Sequence, residues 1–283
     1  MGFGMDMLER LNFAGAGVTL AADAAGPADG PPILFLHGSG QTRQSWGKAI
    51  VEAGKRGYRA ISVEQRGHGD SGWAPDGRYD LEVFAADLTA ILDQLSGAPI
   101  VVGASLGGLV GMMVAAAQPQ RVRALVLVDI TARIQTQGTS EVQAFMGSAP
   151  DGFASLEDAA DAVAAYLPHR KRPTDTSGLA RNLRERDGRY YWHWDPQMMS
   201  MGDNAKRRDP APLEAAARSL TIPVLLVKGG RSRIVTADSA REFLEMVPHA
   251  DFADIDGADH MVAGDANDAF NDAVFAFIDK LPA

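Results

Sequence analysis

Cysteine is absent from the 283 residues. That removes a disulfide framework, a thiolate zinc site, an iron–sulfur cluster and a thiol nucleophile together. Basic charge is scarce, with 27 Lys and Arg against 36 Asp and Glu and a net charge of −9. The densest basic run, Arg170-Lys171-Arg172, is short and acidic residues follow it soon after. It reads as a solvated turn, and no nucleic-acid partner is expected. Long apolar runs are missing as well. No stretch reaches the roughly 18 residues needed to cross a bilayer, so no membrane partner is expected. Met1–Phe13 lacks the basic and apolar regions of a secretory signal, and Asp6 stands where a myristoylation pattern takes Ser or Thr. The expectation is a mature cytoplasmic protein.

What is present is an ordinary globular composition, 46% hydrophobic with 30 Gly and 15 Pro. The length suits one large domain or two small ones with loops rich in tight turns, and no internal repeat points to a solenoid. Short apolar runs alternate with amphipathic segments, the rhythm of a parallel sheet with crossover helices. Strands are expected at Ile33–Leu36, Arg59–Val63, Ile100–Val102, Leu125–Val128, Val224–Val227 and Phe252–Ile255. Helices are expected near Ser45–Arg56, over 80–95, from Leu106 to about Gln118, and at the end around Phe270, Val274, Phe277 and Ile278. Between about Thr131 and Ser219 the rhythm breaks, with no clear strand. That stretch reads as a helical cap over 131–219, inserted before the penultimate strand of a core domain formed by 1–130 and 220–283.

Gly103-Ala104-Ser105-Leu106-Gly107 is a G-x-S-x-G between a strand and a helix. Its glycines allow a sharp turn that presents Ser105 on strained backbone. The start of the helix behind it supplies N–H groups and positive dipole character where an oxyanion forms. His37-Gly38-Ser39-Gly40 closes the Ile33–Leu36 strand. With these two segments the chain resembles the α/β-hydrolase superfamily, in its serine-nucleophile, esterase-like branch. The resemblance implies an α/β fold with a mostly parallel central sheet flanked by helices. It also implies an oxyanion hole from the Ser39 and Leu106 N–H groups, and a structural part for His37 behind the loop. Gln65-Arg66-Gly67-His68-Gly69-Asp70-Ser71 looks like the superfamily's D-x-R-G-x-G-x-S turn, with Glu64 before it where Asp is more common. That segment is assigned to architecture, and His68 is a poor base.

A serine alcohol needs a base to take its proton and a third group to hold that base. By the resemblance the base is His260, which follows the last expected strand where the superfamily has G-x-G-H. Here the loop reads Gly257-Ala258-Asp259-His260, so a carboxylate stands next to the histidine, an arrangement expected to raise an imidazole's pKa. The superfamily's usual acid lies after the Val224–Val227 strand in a G-x-x-D pattern. In this chain Lys228-Gly229-Gly230-Arg231-Ser232-Arg233-Ile234-Val235 carries no carboxylate. Asp238, inside the next helix, is one alternative. Asp129 is the other, in Leu127-Val128-Asp129-Ile130, where a subset of the superfamily carries its acid. Asp129 is preferred, because it ends a strand on the rim that holds Ser105 and because a buried carboxylate needs a partner such as an imidazole N–H.

The order Ser105, Asp129, His260 is that of the superfamily. The implied activity is hydrolysis of small, largely apolar carboxylic esters through an acyl-enzyme, with a small-molecule substrate and no cofactor. The same triad also serves carbon–carbon (diketone), lactone and thioester hydrolysis. Arg181, Arg184 and Arg186 are then either groups for a second carboxylate or solvated residues. Ser105 argues against the superfamily's Asp-nucleophile dehalogenases and epoxide hydrolases. A non-catalytic ligand receptor is the remaining class, and nothing in the chain fixes an oligomeric state. In Tyr190-Tyr191-Trp192-His193-Trp194-Asp195, Trp192 and Trp194 are either cap core or the lining of an apolar pocket, to which Met261 is also assigned. His193 and Asp195 alone do not make a metal site.

Overall fold

The computed structural model describes residues 8–133, 136–167, 172, 175–176, 178–200, 209–258, 262 and 267–282. Eight strands form one sheet: β1 (Glu9–Ala14), β2 (Thr19–Ala25), β3 (Pro32–Leu36), β4 (Arg59–Val63), β5 (Ile100–Ala104), β6 (Ala124–Val128), β9 (Val224–Gly229) and β10 (Asp251–Ile255). Their order is β1-β2-β4-β3-β5-β6-β9-β10. β1 and β2 pair antiparallel, as do β2 and β4, and every pairing from β4 to β10 is parallel. This is the α/β architecture expected, with the strand-poor insertion between β6 and the penultimate strand.

Period-two alternation within the buried strands divides the core. Ile33, Phe35, Ile100, Val102, Val126 and Val227 face a layer built by α1 (Gly47–Lys55) and α9 (Asn267–Ile278), with Trp46 packed at a tilt between Phe35 and Phe270. Leu34, Leu36, Val101, Leu125, Leu127 and Leu226 face the opposite layer. That layer contains α2 (Leu81–Leu92), α3 (Leu106–Ala117), α7 (Ala211–Arg218) and α8 (Ala237–Met246). No helix among the described residues is long and apolar enough to cross a membrane.

Three features depart from the sequence expectation. β1 and β2 were not anticipated, because Thr19–Ala25 reads Thr-Leu-Ala-Ala-Asp-Ala-Ala, a poor strand former. Cross-strand pairing to β1 and β4 overrides that preference, and the buried Asp23 carboxylate lies 3.1 Å from Arg43 Nε. The 131–219 segment is not wholly helical. Besides α4 (Thr136–Met146), α5 (Leu156–Tyr166) and the single turn α6 (Gln197–Ser200), it contains an antiparallel hairpin of β7 (Leu183–Arg186) and β8 (Arg189–Trp192). Its turn is Asp187-Gly188, both at positive φ (51° and 71°), the dipeptide that suits a two-residue hairpin loop. Finally, α7 packs on α3 and α8, so residues 211–218 belong to the helical layer of the core although they fall inside the expected cap boundary.

Candidate active site

Ser105 sits between β5 and α3 with φ 46° and ψ −114°, a region that L-residues enter at a cost of about 1–3 kcal/mol. Its flanking glycines explain how the chain gets there. A methyl on Gly103 would overlap the Gly107 carbonyl, and one on Gly107 would overlap the Leu36 backbone. The strand and helix therefore approach more closely than any other residue allows. The Ser105 N–H donates to the Val128 carbonyl at 3.2 Å, fixing the turn to the end of β6. The Leu106 N–H opens α3, where the helix itself offers no acceptor.

The His37–Gln41 loop lies against this turn. A Cβ built on Gly38 would be 3.3 Å from the Ser105 Cβ. The N–H groups on either side of Ser39 are committed: Gly38 donates to Gln41 Oε1 at 3.0 Å, and Gly40 to His68 Nε2 at 3.1 Å. Among the described residues the Ser39 N–H has no such partner. The structure thus places the loop that carries Ser39 against the Ser105–Leu106 turn.

Three buried histidines brace this loop and the 65–71 turn beside it. His37 Nδ1 donates to the Gly38 carbonyl at 2.8 Å, and its Nε2 accepts the Gln65 N–H at 3.0 Å. His68 Nδ1 donates to the Arg66 carbonyl at 2.9 Å, while His193 Nδ1 accepts the Gly69 N–H at 2.9 Å. Burial is the main cause that pushes all three down to about 3, so they are neutral at pH 7. None is a free base. The 65–71 turn is held in its own right, because the Arg66 guanidinium grips the Asp87 carboxylate at 2.5 and 2.7 Å. Glu64 explains its departure from the usual Asp: its buried carboxylate pairs with the Arg43 guanidinium and takes the Asp70 N–H at 2.7 Å.

Asp129 follows β6 directly, at φ 51°, and is fully buried. Its N–H donates to the Val227 carbonyl at 2.7 Å, continuing the β6–β9 ladder for one residue. One carboxylate oxygen accepts the Gly229 N–H at 3.0 Å and the other the Ser232 hydroxyl at 2.5 Å. Asp238, the alternative acid, is 76% exposed in the first turn of α8 and pairs with Arg241 at 2.9 Å. His260, Asp259 and Met261 lie outside the described residues. On either side of them Ala258 and Val262 are buried, and the Ala258 carbonyl accepts the Arg231 N–H at 2.9 Å.

Trp192 and Trp194 stack on each other with centroids 4.9 Å apart, beside Phe145 and Phe153. Both indoles are buried. The edge of Trp194 nonetheless reaches the His37–Gln41 loop, with its Cζ3 3.5 Å from a Cβ built on Gly40. His193 and Asp195 do not converge on a shared point: Asp195 accepts the Tyr79 hydroxyl at 2.5 Å, and its N–H donates to the Gly67 carbonyl at 2.8 Å. Arg181 and Arg184 line a cavity of about 370 Å³ with Arg10, Asp23, Glu64 and Asp70, whose wall includes neither Ser105 nor residues 38–40. Arg186 lies over the Tyr191 ring at 4.3 Å.

Sequence reasoning missed the bracing by His193 and the two donors on Asp129. Nothing local marks His193, since its partner Gly69 is 124 residues away in the chain. Ser232 did carry a signal: it stands three residues after Gly229, where the G-x-x-D spacing would place an acid.

A family model described as the alpha/beta hydrolase fold matches residues 31–266. The esterase Rv0045c of Mycobacterium tuberculosis is 33% identical over 228 residues, covering 77% of this chain and 72% of that protein. The mouse sn-1-specific diacylglycerol lipase ABHD11 is 31% identical over 263 residues, covering 89% of this chain and 82% of the other. Among solved structures, that of E-2-(acetamidomethylene)succinate hydrolase superposes with a TM-score of 0.85 at 26% identity, covering 96% and 99% of the two chains. The chain belongs to the α/β-hydrolase fold family and is a hydrolase related to esterases.

Proposed function

We propose that the protein is a serine esterase acting on small, largely apolar carboxylic esters. The observation that carries this reading is Ser105, held at φ 46° at the start of α3 with the Gly38 backbone against it. In this mechanism Ser105 Oγ attacks the carbonyl carbon as His260 takes its proton. Asp129 orients the imidazole and stabilises its charged form. The developing oxyanion rests on the Ser39 and Leu106 N–H groups, each such donor being worth about 3 kcal/mol in the transition state. His260 then protonates the leaving alcohol. A water activated by the same base attacks the acyl-enzyme, the acid product leaves, and Ser105 regains its proton. The edge of Trp194 against Gly40 supplies an apolar wall where an acyl chain would run. A cysteine-free chain suits a cytoplasmic setting.

Hydrolysis of a p-nitrophenyl ester series from acetate to decanoate tests the reading. Wild type is expected to turn over the series, and Ser105→Ala to lose activity about 10⁶-fold, the scale seen when a serine hydrolase loses its nucleophile. Equal rates for the two proteins would remove Ser105 from the chemistry. A wild type inert to every ester would remove the ester reading.

A further inference from the structure

The loop after β9 is where the resemblance implies an acid, and here the residue at that spacing from Gly229 is Ser232. Its hydroxyl is fully committed. Ser232 Oγ accepts the Ile234 N–H at 3.0 Å and the Val235 N–H at 3.2 Å. A hydroxyl has two lone pairs and one proton, so the proton is left for the Asp129 carboxylate, 2.5 Å away. The donor itself is anchored: the Ser232 N–H donates to the Gly229 carbonyl at 2.9 Å, and the neighbouring Arg231 N–H to Ala258 at 2.9 Å. Gly229 donates its own N–H to the other carboxylate oxygen at 3.0 Å. Asp129 is thereby clamped from the loop that would ordinarily carry the acid.

We infer that Ser232 is a positioning residue for the catalytic carboxylate. The acid has moved one strand along the sheet, and a hydroxyl in its former place fixes the plane of the Asp129 carboxylate. A carboxylate oxygen can accept two hydrogen bonds, so a donor from Gly229 and one from Ser232 are compatible with an imidazole N–H on the same group. Hydrogen bonds to an ionised group are the stronger ones, and here the bond restrains a side chain at a strand end. This inference rests on the reading of Asp129 as the triad acid.

The test is the rate at which a fluorophosphonate labels the nucleophile, which needs no knowledge of the natural ester. In that reaction the Ser105 Oγ–P bond forms, fluoride leaves from phosphorus, and the serine proton passes to the base. Ser232→Ala is expected to slow labelling about tenfold or more, the size of losing one hydrogen bond to a charged group. Ser232→Thr, which keeps the hydroxyl, is expected to restore the rate to within about twofold at an unchanged thermal midpoint. In an Asp129→Asn background, Ser232→Asp is expected to recover at least about tenfold by returning an acid to the loop. Ser232→Ala labelling at the wild-type rate while Asp129→Asn is slow would overturn the part given to Ser232 alone. Asp129→Asn labelling at the wild-type rate would instead remove Asp129 as the acid.

Discussion

Asparagine in place of Asp129 is expected to lower kcat for ester hydrolysis about 10⁴-fold, with KM changed only a fewfold. The carboxylate is fully buried and accepts the Gly229 N–H on one oxygen and the Ser232 hydroxyl on the other. A carboxamide offers one acceptor oxygen and one donor nitrogen. Its NH₂ must face either the Gly229 N–H or the serine hydroxyl, which then has to turn its proton away from its present acceptor. The imidazole partner would meet a neutral group unable to stabilise the imidazolium that forms during attack. The buried mismatch should also cost about 1–3 kcal/mol of stability. Steady-state kinetics on the purified variant, with a thermal midpoint showing it folded, makes the comparison. Asp238→Asn should leave kcat within about twofold, because this exposed side chain pairs with Arg241 on its own helix and, among the described residues, with no group of the site.

Acid should unfold this protein unusually early. His37, His68 and His193 each accept a backbone N–H, from Gln65, Gly40 and Gly69, and a proton on the accepting nitrogen breaks that bond. Burial pushes each of them from 6.5 down to about 3. The sign follows from the protons bound. Between those two values the unfolded chain binds a proton at each histidine and the folded chain does not, so stability is whole above about pH 6.5 and falls as pH drops towards 3. Each group contributes about 1.4 kcal/mol per pH unit in that window, or about 2 kcal/mol by pH 5. The three lie together and lower one another, so their joint loss is several kcal/mol, on the scale of the whole stability of a typical domain. Urea unfolding at pH 7 and pH 5 should show that loss, and His193→Gln should remove about a third of it. Equal midpoints at the two pH values would mean that the histidines are not buried neutral.

The parts of the fold legible in the sequence are those where one residue type can serve one purpose only. Val224–Val227 and Leu125–Val128 are buried on both faces, so they read as unbroken apolar runs. The turn at Ser105 was legible because only glycine fits at 103 and 107. β2 was not, since its alanines carry no strand preference and its partners lie elsewhere in the chain. The Asp187-Gly188 hairpin was marked in the sequence but sits among charged residues that hide its alternation. Placement of α7 with the core depends on contacts to α3 that no local pattern encodes. In the candidate site, the turn that carries Ser105 and Leu106 and the loop that carries Ser39 were legible from motif and topology. The clamp on Asp129 needed the structure, because the spacing after Gly229 marks the Ser232 position but not its contact with a carboxylate 103 residues away.

The most direct test of the account is where a fluorophosphonate attaches. Treated protein, digested and mapped by mass spectrometry, should carry a single stoichiometric adduct on the peptide containing Ser105, and Ser105→Ala should carry none. Ester turnover with the adduct on another residue, or with no adduct at all, would contradict it.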